Sequence, residues 1–254
     1  MRMKLITGLV MAVAFGAAAH ATEFVQNGGF ETASAGSFEY DQSQHTGTVA
    51  NWTYANPSGQ TSYNILFKTA TATSVQPTNR FSGSGQNQDL WALPSNTASF
   101  NIGTNFMALD GAHQSGNTVQ GEIEQNITGL TAGQTYTLTF DFAAGQLKDR
   151  TGDTSDYLQV FLGSQMFTTD TLNNSSGSAT PWKLETFTFT ATGTSEVLKF
   201  LAFGTPNGDP PMALIDNVSL TNTVPEPATW GLMLLGVAAI GASLRLRRPA
   251  SAVA

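Results

Sequence analysis

Thr135-Tyr136-Thr137-Leu138-Thr139-Phe140-Asp141-Phe142 alternates polar and apolar side chains without a break. Successive side chains of a strand point to opposite faces, so this run reads as a strand burying Tyr136, Leu138, Phe140 and Phe142. Residues 184–191 repeat the pattern, with Phe187 and Phe189 set against Thr186, Thr188 and Thr190. Outward from these, strands are expected at 49–54, 63–67, 106–110, 118–127, 157–162, 197–203 and 212–220. Gly129-Leu130-Thr131-Ala132-Gly133 lies between two of them and predicts a hairpin turn. About ten strands with no helix-periodic run predict an all-β fold, two antiparallel sheets stacked as a jelly-roll sandwich. The largest irregular stretch, 70–105, is rich in Thr, Ser, Asn and Gln and is expected to be a partly ordered surface excursion.

Composition narrows the chemistry. The chain of 254 residues has no Cys, which removes disulfides, thiolate zinc sites and cysteine nucleophiles together. Of 11 basic and 18 acidic residues, five basic and one acidic lie in the two terminal segments. The body between them therefore sets six basic against 17 acidic residues, a net charge of −11. Nucleic acid, whose phosphates need a basic surface, is excluded as a partner. Calcium or a neutral ligand suits this body better.

The ends read as traffic signals. Met1–Ala21 carries Arg2 and Lys4, then an apolar run over 5–19, then Ala19-His20-Ala21 as a small-x-small cleavage site. This is the layout of a secretory leader (1–21), implying Sec-type export machinery, signal peptidase and a mature start at Thr22. At the other end, Val224-Pro225-Glu226-Pro227 precedes 228–244, 17 residues without a charge, and then Arg245-Leu246-Arg247-Arg248. That uncharged run sits at the lower limit for a transmembrane helix, with Arg245, Arg247 and Arg248 on the cytoplasmic side. The folded domain is expected over 22–223.

The order of Val-Pro-Glu-Pro, short hydrophobic helix and arginine cluster over 224–248 resembles the PEP-CTERM sorting signal of Gram-negative bacteria. The resemblance implies transient inner-membrane anchoring, then processing by an exosortase near the Pro-Glu-Pro. It further implies delivery to the envelope, surface or medium, often alongside exopolysaccharide production.

Within the last strand, alternation places Asp216 on one face with Leu214, Val218 and Leu220. A buried carboxylate is costly unless paired or metal-bound, and basic partners are scarce. Two motifs frame the body: Val25-Gln26-Asn27-Gly28-Gly29-Phe30-Glu31 near its start and Leu214-Ile215-Asp216-Asn217-Val218-Ser219-Leu220 near its end. With the 127–136 turn, they are similar to the galactose-binding-like jelly rolls, which include many carbohydrate-binding modules. That resemblance implies first and last strands side by side. It also implies a structural calcium held by Glu31, Asp216 and backbone carbonyls. The alternative is that both carboxylates accept from backbone amides at strand ends. The run Asp149-Arg150-Thr151-Gly152-Asp153-Thr154-Ser155-Asp156 lacks the ligand spacing of an EF-hand and reads as a solvated turn.

No nucleophile elbow, zincin helix or phosphate loop occurs, and His45 and His113 stand without a motif. Carboxylates are plentiful, so a glycosidase pair is the third reading, with Glu122, Glu124 and Asp141 as its acids. Each reads first as a solvent-facing strand residue. Trp52 and Trp182 are expected in the core, and Trp230 in the membrane tail. Trp91, inside the polar excursion, is either a stacking platform for a sugar or a pin holding the loop through Leu90 and Leu93. Expected function follows: an exported, non-catalytic sandwich that binds extracellular polysaccharide, the alternative being a structural surface protein with no small ligand.

Overall fold

The computed structural model describes residues 21–33, 39–40, 48–53, 64–70, 72–73, 89–112, 120–148, 150–207, 211–222, 231 and 235–241. Among the described residues eleven strands form in chain order: β1 (Glu39–Tyr40), β2 (Asn64–Lys68), β3 (Asn105–Asp110), β4 (Glu122–Thr128), β5 (Thr135–Gln146) and β6 (Thr154–Leu162). They continue as β7 (Gln165–Thr168), β8 (Leu172–Asn174), β9 (Lys183–Thr190), β10 (Ser195–Thr205) and β11 (Pro211–Asn222). One sheet has the order β1-β2-β3-β11-β5-β9, and the other runs β4-β10-β6-β7 with β8 also on β6. Every pairing is antiparallel. From β3 to β6, and again from β9 to β11, the chain crosses from one sheet to the other at each step. The expected two-sheet jelly roll is what the strands build.

The inner faces form the main core. Tyr136, Leu138, Phe140 and Phe142 of β5 meet Ile123 and Ile127 of β4, Leu158 and Val160 of β6 and Leu198 and Phe200 of β10. The larger sheet is covered on its other face too. Ile65, Phe67, Phe106, Ala108, Ala143, Met212 and Leu214 pack there under Leu90, Trp182 and Leu147. This second layer is why β3 is buried at every position. The excursion contributes part of it: its described part carries a 3-10 turn (Thr97–Phe100), and Leu90 bridges Leu147.

Two expectations are corrected. The 129–133 turn is no hairpin, because β4 pairs with β10 while β5 pairs with β9 and β11. It is a corner between sheets, fastened by Thr131 N–H donating to the Tyr136 hydroxyl at 2.8 Å, the arrangement of a tyrosine corner. In β11 the register slips between Asp216 and Ser219, with Asn217 left-handed at φ 50°. This bulge inserts one residue and reverses the alternation. Asp216 therefore shares a face with Met212 and Leu214, whereas Val218 and Leu220 join Ile215 in the main core.

The leader before Ala21, the sorting residues Val224, Pro225, Glu226, Pro227, Arg245, Arg247 and Arg248, and His45 and His113 lie outside the described residues. Of the expected 228–244 helix, Gly231 and 235–241 are helical, and no described helix is long and apolar enough to cross a membrane.

Candidate functional site

The motif near the mature start acts residue by residue. Asn27, left-handed at φ 54°, accepts from Thr32 N–H and donates to the carbonyls of Thr32 (3.0 Å) and Ala50 (2.9 Å), closing a turn. A Cβ on Gly28 would lie 1.8 Å from the Val218 carbonyl oxygen. Glycine there lets the segment lie on β11, where Val218 N–H donates to Gly28 O at 3.0 Å. Phe30, at φ 56°, sends its ring into the core 5.2 Å from that of Trp52. Glu31 then emerges toward β3, its Oε1 accepting from Asn105 N–H at 3.1 Å. A Cβ on Gly103 would sit 1.9 Å from that same oxygen.

Asp216 meets this turn from β11. Its side chain is fully buried, and neither carboxylate oxygen has an aligned hydrogen-bond donor. Burial pushes its pKa up to about 7; the backbone N–H groups of Asn217 and Gly103 moderate the rise, and the charges of Asp141 and Glu31 add to it. No basic side chain figures among the groups acting on it. The two motifs converge beside Gly29: a Cβ there would lie 3.7 Å from Asp216 Oδ1, 3.8 Å from Glu31 Cγ and 3.9 Å from Asn217 Oδ1. An oxygen-only donor set, one member buried and unpaired, fits a hard cation such as calcium. Among the described residues no three Asp, Glu, His or Cys side chains gather around one point.

Other acids depart from their expected places. Asp141 is buried on β5 rather than solvent-facing, and accepts from Asn217 Nδ2 at 2.8 Å. Asp156 belongs to no solvated turn: it is fully buried on β6, with neither carboxylate oxygen hydrogen-bonded. Burial first, then the charge of Asp110, holds its pKa well above the usual range. Asp110 is raised to about 7 by burial, against the opposing effects of Ala112 N–H and Arg150. Glu122 and Glu124 do share the outward face of β4, where Glu122 pairs with Lys199 at 3.4 Å.

An open cleft of about 350 Å³ lies at one end of the smaller sheet. Gln120, Ser155, Tyr157, Phe203 and Thr205 line it, with Gly111 and Gly204 among its backbone walls. Tyr157 and Phe203 are cross-strand partners on β6 and β10, stacked with centroids 5.1 Å apart and planes 8° from parallel. Trp91 does not line this cleft. Its indole N–H donates to Arg150 O at 2.8 Å and its backbone N–H to Gln146 O at 3.0 Å, with 38% of the residue exposed. Trp52 and Trp182 are buried. Sequence reasoning passed over Tyr157 and Phe203, although a signal existed: both sit at the outward parity of their strands, where polar residues are the rule.

These features define an antiparallel jelly roll with a two-carboxylate junction between its ends and an aromatic cleft on its smaller sheet. Residues 80–221 match the family "Protein of unknown function (DUF642)", and the chain belongs to that family. Residues 223–248 match the PEP-CTERM protein-sorting motif, which marks an exported protein and implies exosortase as its processing enzyme. Halomucin of Haloquadratum walsbyi is 35% identical over 103 residues, 41% of this chain but 1% of halomucin. Among solved structures, TmCBM61 in complex with beta-1,4-galactotriose is similar at 14% identity and TM-score 0.39, over 79% of this chain and 99% of that one. A putative sugar binding protein from Bacteroides thetaiotaomicron is similar at 14% identity and TM-score 0.37, over 80% of this chain and 100% of that one.

Proposed function

We propose that the body is a non-catalytic module that binds extracellular polysaccharide in the cleft lined by Tyr157 and Phe203. We further propose a structural calcium at Glu31 and Asp216. The observation that carries the first part is the stacked aromatic pair on a solvent-facing sheet surface. Flat rings stack on the apolar face of a pyranose, and Gln120, Ser155 and Thr205 offer hydrogen bonds to its hydroxyls. The calcium reading is supported by the buried, unpaired Asp216 carboxylate facing Glu31. Such an ion joins the first segment to the last strand and leaves the cleft to the glycan.

The test is a glycan array on the purified body, followed by titration of whatever binds. Saturable binding is expected, lost in Tyr157→Ala and in Phe203→Ala while the melting temperature barely moves. Trp91→Ala is expected to keep binding and to raise protease sensitivity, because its indole fastens the excursion to Arg150. An array blank for acidic and neutral polysaccharides alike overturns the reading and leaves a structural surface protein.

A further inference from the structure

Asn217 holds the most constrained polar side chain at the junction. Its Nδ2 donates to two acceptors, the Asp141 carboxylate Oδ2 at 2.8 Å and the Phe100 carbonyl at 3.0 Å. Both N–H bonds of the amide are thereby used, and only nitrogen can face two acceptors, so the amide orientation is decided by its neighbours. The amide oxygen is turned the other way. It lies within 3.9 Å of the point beside Gly29 that Asp216 Oδ1 and Glu31 Cγ also approach.

The backbone serves the same end. Asn217 is the extra residue of the β11 bulge and is left-handed, a conformation asparagine tolerates better than most residues. Without the bulge, strict alternation would put residue 217 on the face opposite Asp216. With it, Asp216 Oδ1 and Asn217 Oδ1 both lie within 4 Å of the position a Cβ on Gly29 would take.

We infer that Asn217 supplies a neutral oxygen ligand to the cation at Glu31 and Asp216, and that Asp141 is a positioning residue that sets the amide. The inference rests on the calcium reading. A hard cation takes six to eight oxygens, and the two carboxylates leave most positions to neutral donors and water. Asp141, on the neighbouring strand opposite Asp216, fixes which end of the Asn217 amide faces the ion. This is the usual task of a group that orients a ligand from behind. The Phe100 carbonyl fastens the same amide to the 3-10 turn of the excursion, so ion binding also braces that turn.

Europium and calcium titrations of the whole body test this, with Asn217→Gly as the main variant because glycine keeps the left-handed backbone. Europium luminescence decay in H₂O and D₂O counts the waters on the bound ion. Loss of the Asn217 oxygen is expected to add one water and to weaken calcium binding about tenfold or more. Asp141→Ala is expected to weaken calcium less, and Asp141→Asn, which still offers an oxygen to Asn217 Nδ2, to restore most of it. An Asn217→Gly variant that binds calcium with the wild-type constant and hydration number overturns the inference, even if its calcium-free stability falls. A wild-type body that binds neither ion overturns the calcium reading itself, and this one with it.

Discussion

Three aspartates, Asp110, Asp156 and Asp216, lie fully or almost fully buried in a body that holds few basic side chains. Burial raises each above the usual carboxylate value of 3.8: Asp110 and Asp216 to about 7, Asp156 well above. A raised carboxylate binds more protons folded than unfolded, so its stabilising effect is complete below the unfolded value. It is lost as pH rises through the folded one. In EDTA, the melting temperature is therefore expected to climb as pH is lowered from about 8 towards about 5, and Asp156→Asn is expected to flatten that slope. The proposed calcium would work the other way at Asp216, since protons compete with the ion for the carboxylate. If the site holds calcium as proposed, a hundredfold excess over its dissociation constant is expected to add about 2.7 kcal/mol at neutral pH, and less in acid. Melting curves across pH, with EDTA and with calcium, check both; an EDTA series independent of pH contradicts the burial argument.

The corner between β4 and β5 shows how a short segment directs a strand from one sheet into the other. Gly129 and Gly133 take left-handed backbones at φ 83° and 81°, as a tight turn requires. The turn is then held from outside itself. Leu130 N–H donates to Thr194 O, Gly133 N–H to Ala191 O and Thr131 N–H to the Tyr136 hydroxyl. Tyr136 is buried, and Phe24 packs edge-on against its ring at 5.2 Å. Tyr136→Phe keeps this packing and removes only the acceptor. Because Thr131 is exposed and its N–H can turn to water, the expected cost is about 1 kcal/mol, not the larger penalty of a buried orphan. Urea unfolding with an unchanged m-value measures it. A loss of several kcal/mol, or a changed m-value, contradicts the purely local role.

Across the whole body, the first residues after the expected leader are stitched to the last ones before the sorting motif. Thr22 N–H donates to Asn222 Oδ1 at 2.8 Å, and Glu23 Oε1 accepts from Leu220 N–H at 2.9 Å. Phe24 N–H donates to Leu220 O at 2.9 Å. The folded unit spans Thr22–Asn222, and the matched sorting motif begins at 223. Cutting on either side therefore removes none of the described strands. Mass spectrometry of envelope and medium fractions is expected to find a chain starting at Thr22 and lacking the arginine cluster. Only uncut chain ending at Ala254, in a host with an exosortase, contradicts it.

Strand identity and sorting were legible along the chain because both are local. Side-chain alternation is a property of extended backbone, so 135–142 and 184–191 declared themselves residue by residue, and 212–220 only as far as its bulge. The sorting signal has all its parts within one linear stretch. Sheet membership was not legible, since the corner at 129–133 looks like a hairpin until β4 finds β10 and β5 finds β9 and β11. Pairing depends on segments far apart in the chain, and no local period encodes it. The same holds for the sites. Glu31 and Asp216 were nameable from their motifs, but the bulge that turns Asn217 beside them comes from the registry of β11 on β5. Tyr157 and Phe203 stack on each other only because β6 lies beside β10. Sequence alone marked most of the strands and the sorting signal, although 49–54 makes only isolated bridges at Val49 and Thr53; tertiary packing decided which side chains meet, because only it brings distant strands into register.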